Sequence, residues 1–421
     1  MKVLVLNQHY WPEIAATGQL LEDVCEDLVA RGHDVTVITG QPSYRVSGDT
    51  RTLPAEETRR GVRIRRVWSY VPRERSIPRR VFAYGSYFAS SLVAAVRDAK
   101  PDVALVLSTP PLLLGVSGAL HRALRGVPYV YSVQDLYPDI AINLGVLKPG
   151  LAATAIDHVA RRLYRGAAGI ITLSGAMADR LVEKGVDAER IAIIPNWADT
   201  DAVRPTPRDN AYARENGLVD SFVVQYSGNV GLSQGLEHVV AAAAHLRDLP
   251  ITLAIVGGGN ARASLERQAK EQQLTNVRFF EPAPRDRLGE LLASADVSLV
   301  PMKRGVASDL VPSKLYGILA ASKPVLASVE HDSEVGRVVR QFDCGRVVEP
   351  ENAKALADAI RELHAQRENL HAMGERGRRA GESHFSRRVC TGRYETALAK
   401  AAGFEARVPA PASSTTEGAH P

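Results

Sequence analysis

Cysteine is scarce in this chain: there are three in 421 residues, Cys25, Cys344 and Cys390, and no two are close in sequence. That count excludes a disulfide scaffold and any zinc site built on clustered thiolates, and it fits a reducing compartment. Long apolar runs are absent too, and none approaches the roughly 18 residues needed to span a bilayer. Neither sign of charge dominates: 52 lysines and arginines against 47 aspartates and glutamates leave a net +5. For a chain of this length that is too mild to point to nucleic acid as a partner. Gly-x-Gly-x-x-Gly is missing, so there is no dinucleotide fingerprint. Neither a Ser-His-Asp set nor a close carboxylate pair appears. Met1-Lys2 runs straight into Val3-Leu4-Val5-Leu6 and then into polar residues. This reads as a first strand rather than a leader, and a cytoplasmic protein is expected.

What is present is an alternation. The chain is too long for one hydrophobic core and suggests two domains of about 200 residues each. In the first half, apolar runs at 3–6, 35–39, 62–67, 103–107, 129–133 and 169–173 predict strands, with helices at 18–30, 81–95, 112–124 and 151–164. The second half repeats the plan. Its strands are predicted at 222–226, 252–256, 277–279, 297–300, 324–327 and 345–348, and its helices at 235–246, 261–273, 285–293, 314–321 and 353–366. Beta-branched runs separated by helices predict an α/β protein of two Rossmann-like, doubly wound domains, residues 1–200 and 201–385. A proline-punctuated connector from Pro195 to Asp209 marks the boundary. The residues from 403 onward are poor in hydrophobics and read as a disordered tail. Ligands of such sheets gather at the carboxyl ends of the strands, so the expected site is the cleft between the domains.

The most informative stretch is Val311-Pro-Ser-Lys-Leu-Tyr-Gly-Ile-Leu-Ala. Ser313 reads as an N-cap and Lys314 as a full positive charge where a helix opens after a buried strand, a design for a phosphate-bearing ligand. Two glycine-rich turns stand beside it. Tyr226-Ser-Gly-Asn-Val-Gly-Leu-Ser-Gln-Gly offers Gly228 and Asn229, and Gly257-Gly-Gly-Asn offers Gly257 and Gly258. Such turns are also ordinary packing devices, so it is their conjunction with Lys314 in one sheet that points to a nucleotide.

In the first half, Asn7-Gln-His-Tyr-Trp-Pro-Glu leads to Thr17-Gly18, where Gly18 allows close backbone approach and His9 stands at the cleft edge. Asp135 follows a strand directly and either meets a sugar hydroxyl or proton, or caps a loop. Asp199-Thr-Asp201 has the Asp-x-Asp spelling of a metal motif but lies in the connector, so no metal is expected. Arg73, Arg75, Arg79 and Arg80 flank Phe82, Tyr84, Tyr87 and Phe88, a pattern shared by a helix lying on an anionic membrane and by a solvated flank of a packed helix.

With these motifs in their order and spacing, residues 1 to 400 resemble the retaining, family-four glycosyltransferases of the GT-B fold. Within that group the chain is most similar to N-acetyl-L-fucosaminyltransferase-type enzymes of bacterial O-antigen and capsule assembly. The resemblance implies a second domain holding a nucleotide-diphosphate sugar, favoured as uridine-linked, and a first domain holding the acceptor. It also implies a last helix, about 386–402, crossing back onto the first domain. The acceptor is expected to be a glycan or an undecaprenyl-diphosphate-linked sugar at the inner membrane face. No separate cofactor is expected.

Two departures from the family stand out. Two glutamates with seven residues between them are replaced by Asp309 and Gly317, and the diphosphate-binding arginine and lysine by Asn229 and Gln234. Asp309 and Asp135 would then orient the sugar, with Glu334 standing in for the lost acid. A sugar-nucleotide 2-epimerase of the same fold and a non-catalytic nucleotide-sugar-binding relative are the alternatives.

Overall fold

The computed structural model describes residues 1–13, 16–42, 53–71, 77–98, 100–108, 110, 112–143, 147–306 and 311–404. Arg73, Arg75, Asp309 and the tail from 405 lie outside the described residues.

The chain forms two sheets. The first is built from Lys2–Leu6 (β1), Asp34–Thr39 (β2), Glu56–Arg59 (β3), Val62–Arg66 (β4), Val103–Leu107 (β5), Tyr129–Val133 (β6), Gly169–Thr172 (β7) and Ile191–Ile193 (β8). Its order is β3-β4-β2-β1-β5-β6-β7-β8, parallel throughout except for the β3–β4 pair. The second contains Phe222–Ser227 (β9), Ile251–Val256 (β10), Val277–Phe280 (β11), Val297–Pro301 (β12), Val325–Ser328 (β13) and Gly345–Val348 (β14). It is ordered β11-β10-β9-β12-β13-β14 and is wholly parallel.

Central strands such as β5, β6, β10 and β12 are buried at every position. Helices cover both faces of a parallel sheet, so such strands read as continuous apolar runs rather than alternations. That is why the sequence reveals them.

Strand β8 and the helices Asp139–Asn143, Gly175–Glu183, Ala211–Glu215 and Glu334–Gln341 escape the sequence pattern, and two further elements do so for a clear physical reason. Strand β3 reads Glu-Glu-Thr-Arg, and no position in it is buried. It forms because Arg60 and Gly61, both at positive φ, turn the chain back onto β4. The helix Leu370–His384 carries Gly374, Gly377 and Gly381. Glycine ordinarily weakens a helix. Here the three lie on one face against the residues of and just after the helix Lys314–Ala320, where an added Cβ at Gly374 would meet the Ser322 carbonyl oxygen at 2.1 Å. Close approach, not propensity, sets this helix.

The helix Arg387–Ala402 packs against the helix Ala16–Ala30 and against β5, β6 and β7 of the first sheet. Its Arg387 donates to Asp23 (2.7 Å) and Asp27 (2.7 Å) and faces Glu26 at 3.3 Å. Tyr394 packs edge-on to Trp197 of the connector and shares a hydrogen bond with Ser132 of β6. Connector, first sheet and last helix therefore share one core.

Candidate active site

The carboxyl edge of the second sheet is where backbone comes closest to backbone. Gly228 follows β9 at φ 145° and Gly257 follows β10 at φ 141°, a region that side chains rarely adopt. An added Cβ at Gly257 would fall 1.9 Å from the Gly228 carbonyl oxygen, and one at Gly259 would fall 2.3 Å from that of Val230. The two turns are stitched together by Gly228 N–H to Val256 O (3.0 Å) and Val230 N–H to Gly258 O (2.8 Å). Gly258 and Asn229 remain exposed at the rim. Only glycine fits this double turn, whose rim at Asn229 and Gly258 is open to solvent.

Lys314 stands beside that opening. Its Nζ donates to Tyr226 Oη at 2.8 Å, and Tyr226 Oη donates onward to the Asn229 carbonyl oxygen at 2.5 Å. A Cβ on Gly228 would meet Lys314 Cε at 3.4 Å and Nζ at 3.5 Å. The residue as a whole is half-buried, yet the packing around its ammonium is dense and desolvation pulls its pKa down to about 7. Burial conversely pushes the Tyr226 phenol well up, so it stays protonated and can only pass a hydrogen bond along the chain. An anion entering the opening would relieve the cost of the lysine's charge.

Ser313 departs from the expected cap. Its φ and ψ of −60° and −22° are already helical, and its side chain accepts no cap hydrogen bond. Pro312, with its fixed φ, has already begun the turn, since Leu315 N–H bonds to the Pro312 carbonyl oxygen. Glu334, expected to stand in for the lost acid, has a partner in this structure. It is buried at the start of the helix Glu334–Gln341 and forms a bidentate pair with Arg337, so its carboxylate is engaged within its own helix rather than turned to a ribose.

Gln234, at the position of the absent lysine, folds back onto its own turn. Its Oε1 accepts from Gly231 N–H at 3.0 Å and its Nε2 donates to Ser233 at 2.9 Å.

The corresponding carboxyl edge of the first sheet ends in side chains. His9 Nδ1 and Glu13 Oε2 are 2.5 Å apart, both buried, while Asn7 donates to the His9 carbonyl oxygen. Gly18 packs so closely under this turn that a Cβ there would meet the His9 carbonyl oxygen at 3.3 Å. Asp135 is half-buried directly after β6, beside Gln134, whose Nε2 donates to Ser132. Asp139, by contrast, is tied to Arg180 (2.6 Å) and Lys184 (2.9 Å).

Asp199 accepts from the backbone N–H groups of Asp201 and Ala202, both at 3.0 Å, a local turn that occupies the Asp-x-Asp spelling. Among the described residues, no group of three or more histidine, cysteine, aspartate or glutamate side chains is arranged to hold a metal ion.

Of the aromatics near the arginine flank, Tyr87 is a core residue bonded to the Ile38 carbonyl oxygen, whereas Phe82 faces outward. Among the described residues, no helix is long and apolar enough to cross a membrane.

Sequence reasoning missed Glu13 and Lys303. The first stands four residues beyond His9. The second follows β12 at the same sheet edge as Lys314.

Comparison with known proteins agrees with this architecture. Residues 16–197 match the model described as glycosyl transferase 4-like domain, and residues 209–380 match glycosyl transferases group 1. The chain is 34% identical over 374 residues to the putative colanic acid biosynthesis glycosyl transferase WcaI of Escherichia coli K12, covering 86% of this chain and 92% of that one. It is 31% identical to the probable glycosyltransferase WbjE of Pseudomonas aeruginosa, over 66% of this chain and 69% of that one. Among solved structures it superposes on Anabaena HepE in complex with UDP, with a TM-score of 0.71 at 16% identity over 94% of this chain and 98% of that one. Sucrose-phosphate synthase from Thermosynechococcus elongatus gives 0.70 at 20% identity, over 93% and 96%. Two Rossmann-like domains, their order and these likenesses together establish that the chain belongs to the glycosyltransferases of the GT-B fold that join a glycosyl transferase 4-like domain to a group 1 domain.

Proposed function

We propose that this glycosyltransferase moves a sugar from a nucleoside diphosphate carrier to a glycan or lipid-linked acceptor during cell-surface polysaccharide synthesis, with retention at the anomeric carbon and without a metal ion. The observation that carries the reading is Lys314 lodged beside the Gly228–Gly257 double turn, a positive charge at a turn whose rim at Asn229 and Gly258 is open to solvent. A departing diphosphate gathers negative charge on the oxygen that leaves C1. Lys314 stabilises it in place. In a metal-free route, this fixed charge does the work a divalent cation would otherwise do.

The acceptor hydroxyl attacks from the leaving-group side, and its proton passes to the departing phosphate oxygen. No protein base is required. Asp135 and His9 at the opposite edge orient the acceptor and the sugar hydroxyls. Asp309 carries the same expectation and lies outside the described residues.

The relative named for colanic acid biosynthesis supports a polysaccharide setting. HepE was solved with UDP and with UDP-glucose, which makes uridine diphosphate the first carrier to try. Exposed Val81 and Phe82, two and three residues after Arg79 on one helix, support contact with a membrane-borne acceptor.

The test is a panel of nucleotide sugars with and without acceptor glycolipids. Release of nucleoside diphosphate only when acceptor is present, with an axial or equatorial product linkage matching the donor by NMR, is the expected result. Isomerised donor without acceptor would make the protein an epimerase. Binding with no turnover across the panel would make it a non-catalytic relative.

A further inference from the structure

The glycine turn that would receive the diphosphate, from Ser227 to Gly235, contains no basic residue, and Gln234 is occupied with its own backbone. One lysine alone is little charge for a group carrying two to three negative charges. A second cation nevertheless stands at the turn. Lys303 follows β12, and its backbone N–H donates to the Ser233 carbonyl oxygen at 2.9 Å. Its side chain lies along Gly235, where φ is 62° and an added Cβ would meet Lys303 Cγ at 3.3 Å. Its Nζ ends 2.8 Å from Glu237 Oε1, in the first turn of the helix Leu236–Ala243.

We propose that Lys303 is the second diphosphate-binding cation of this enzyme, replacing by tertiary placement the charge that its glycine turn lacks, with Glu237 holding it at the turn until the diphosphate arrives. The inference rests on the reading of the second domain as the nucleotide-sugar site.

Three features carry it. Lys303 is fixed to the turn by its own backbone, so its position is set before any ligand binds. Gly235 leaves room for the lysine stem to cross the turn. Glu237 and Lys303 are each a third or more exposed, and an ion pair of that kind is held weakly enough to exchange for a more highly charged partner. Burial is the largest influence and raises the Glu237 carboxyl, but the hydrogen bond and charge of Lys303, its own backbone N–H and His238 together outweigh it and hold the group below its ordinary value, so the carboxylate stays ionised near neutral pH.

The experiment is calorimetric titration of the full chain with UDP, UMP and uridine. Lys303→Gln should weaken UDP about tenfold or more, as expected for a lost charge-assisted contact. It should weaken UMP less and leave uridine unchanged, and Lys303→Arg should restore most of the UDP affinity. Glu237→Gln should bind UDP at least as tightly as the parent. Loss of affinity spread equally over all three ligands would mark Lys303 as merely structural and overturn the proposal. Unchanged UDP affinity in Lys303→Gln, with the parent binding UDP normally, would sink the role of Lys303 and leave the nucleotide site standing. A parent protein that binds none of the uridine, guanosine, thymidine or adenosine diphosphates would sink both.

Discussion

The two sheets end in turns at matching places and fill them in opposite ways. After β1 the chain closes its turn with side chains: His9 against Glu13, Asn7 on the His9 carbonyl, and Gly18 packed beneath. After β9 and β10 it removes side chains, so that Gly228, Gly257 and Gly259 bring two backbones together and leave an opening next to Lys314. The first arrangement presents hydrogen-bonding groups of fixed direction, suited to distinguishing hydroxyls. The second presents lysine charge beside close-packed backbone, suited to a phosphate whatever sugar it carries. One topology thus yields two chemistries, decided by whether the turn is built with side chains or without them.

The comparison breaks most completely at Lys314. Lys314→Ala removes the fixed charge facing the leaving group, and turnover should fall about a hundredfold or more, measured as acceptor-dependent release of nucleoside diphosphate. Retained activity would reassign the phosphate to another edge.

Gly257→Ala should come next. Its Cβ would collide with the Gly228 carbonyl oxygen at a φ of 141°, so the turns must part. UDP binding should be lost in calorimetry, with the thermal midpoint lowered by several degrees for about 1–3 kcal/mol of overpacking. Gly175→Ala, where no atom lies within 4 Å of the added Cβ, is the control that should keep both.

The pH dependence sharpens the contrast further. Lys314 in the empty site titrates near 7, and a bound diphosphate favours its charged form. Below pH 7 the lysine is already protonated and UDP affinity should be flat. Above it, binding must first take up a proton, so affinity should fall by up to about tenfold per pH unit, with matching proton uptake in calorimetry. Lys314→Arg, charged throughout, should flatten that slope.

The smallest effect belongs to the side-chain turn. Glu13→Gln should lower kcat/KM for the acceptor about three- to tenfold while leaving UDP affinity unchanged. A change in UDP affinity instead would mean that the two edges are not divided as described.

Much of the scaffold was legible because parallel strands buried on both faces announce themselves as apolar runs. Lys314 and the glycine turns were legible for a similar reason: a charge or a run of glycines directly after a strand has few structural excuses. Strand β3 was not, because nothing in Glu-Glu-Thr-Arg prefers a sheet until β4 offers it an edge. Nor was the helix Leu370–His384, whose three glycines argue against a helix until the Lys314 helix and Ser322 demand close approach. Glu334 looked available because its partner Arg337 lies in its own helix and competes for it only once that helix forms.

The sequence by itself determined the two doubly wound sheets and the glycine-rich turns that stand with Lys314 at one sheet edge. Those follow from local periodicity and from glycine at turns, which act over a few residues. Tertiary structure decided which charges face that edge. Ser313 entered the helix instead of capping it, Gln234 folded onto its own backbone, and Lys303 reached the turn from a strand some seventy residues downstream. Pairing of charges depends on distance in space, and spacing along the chain does not encode it.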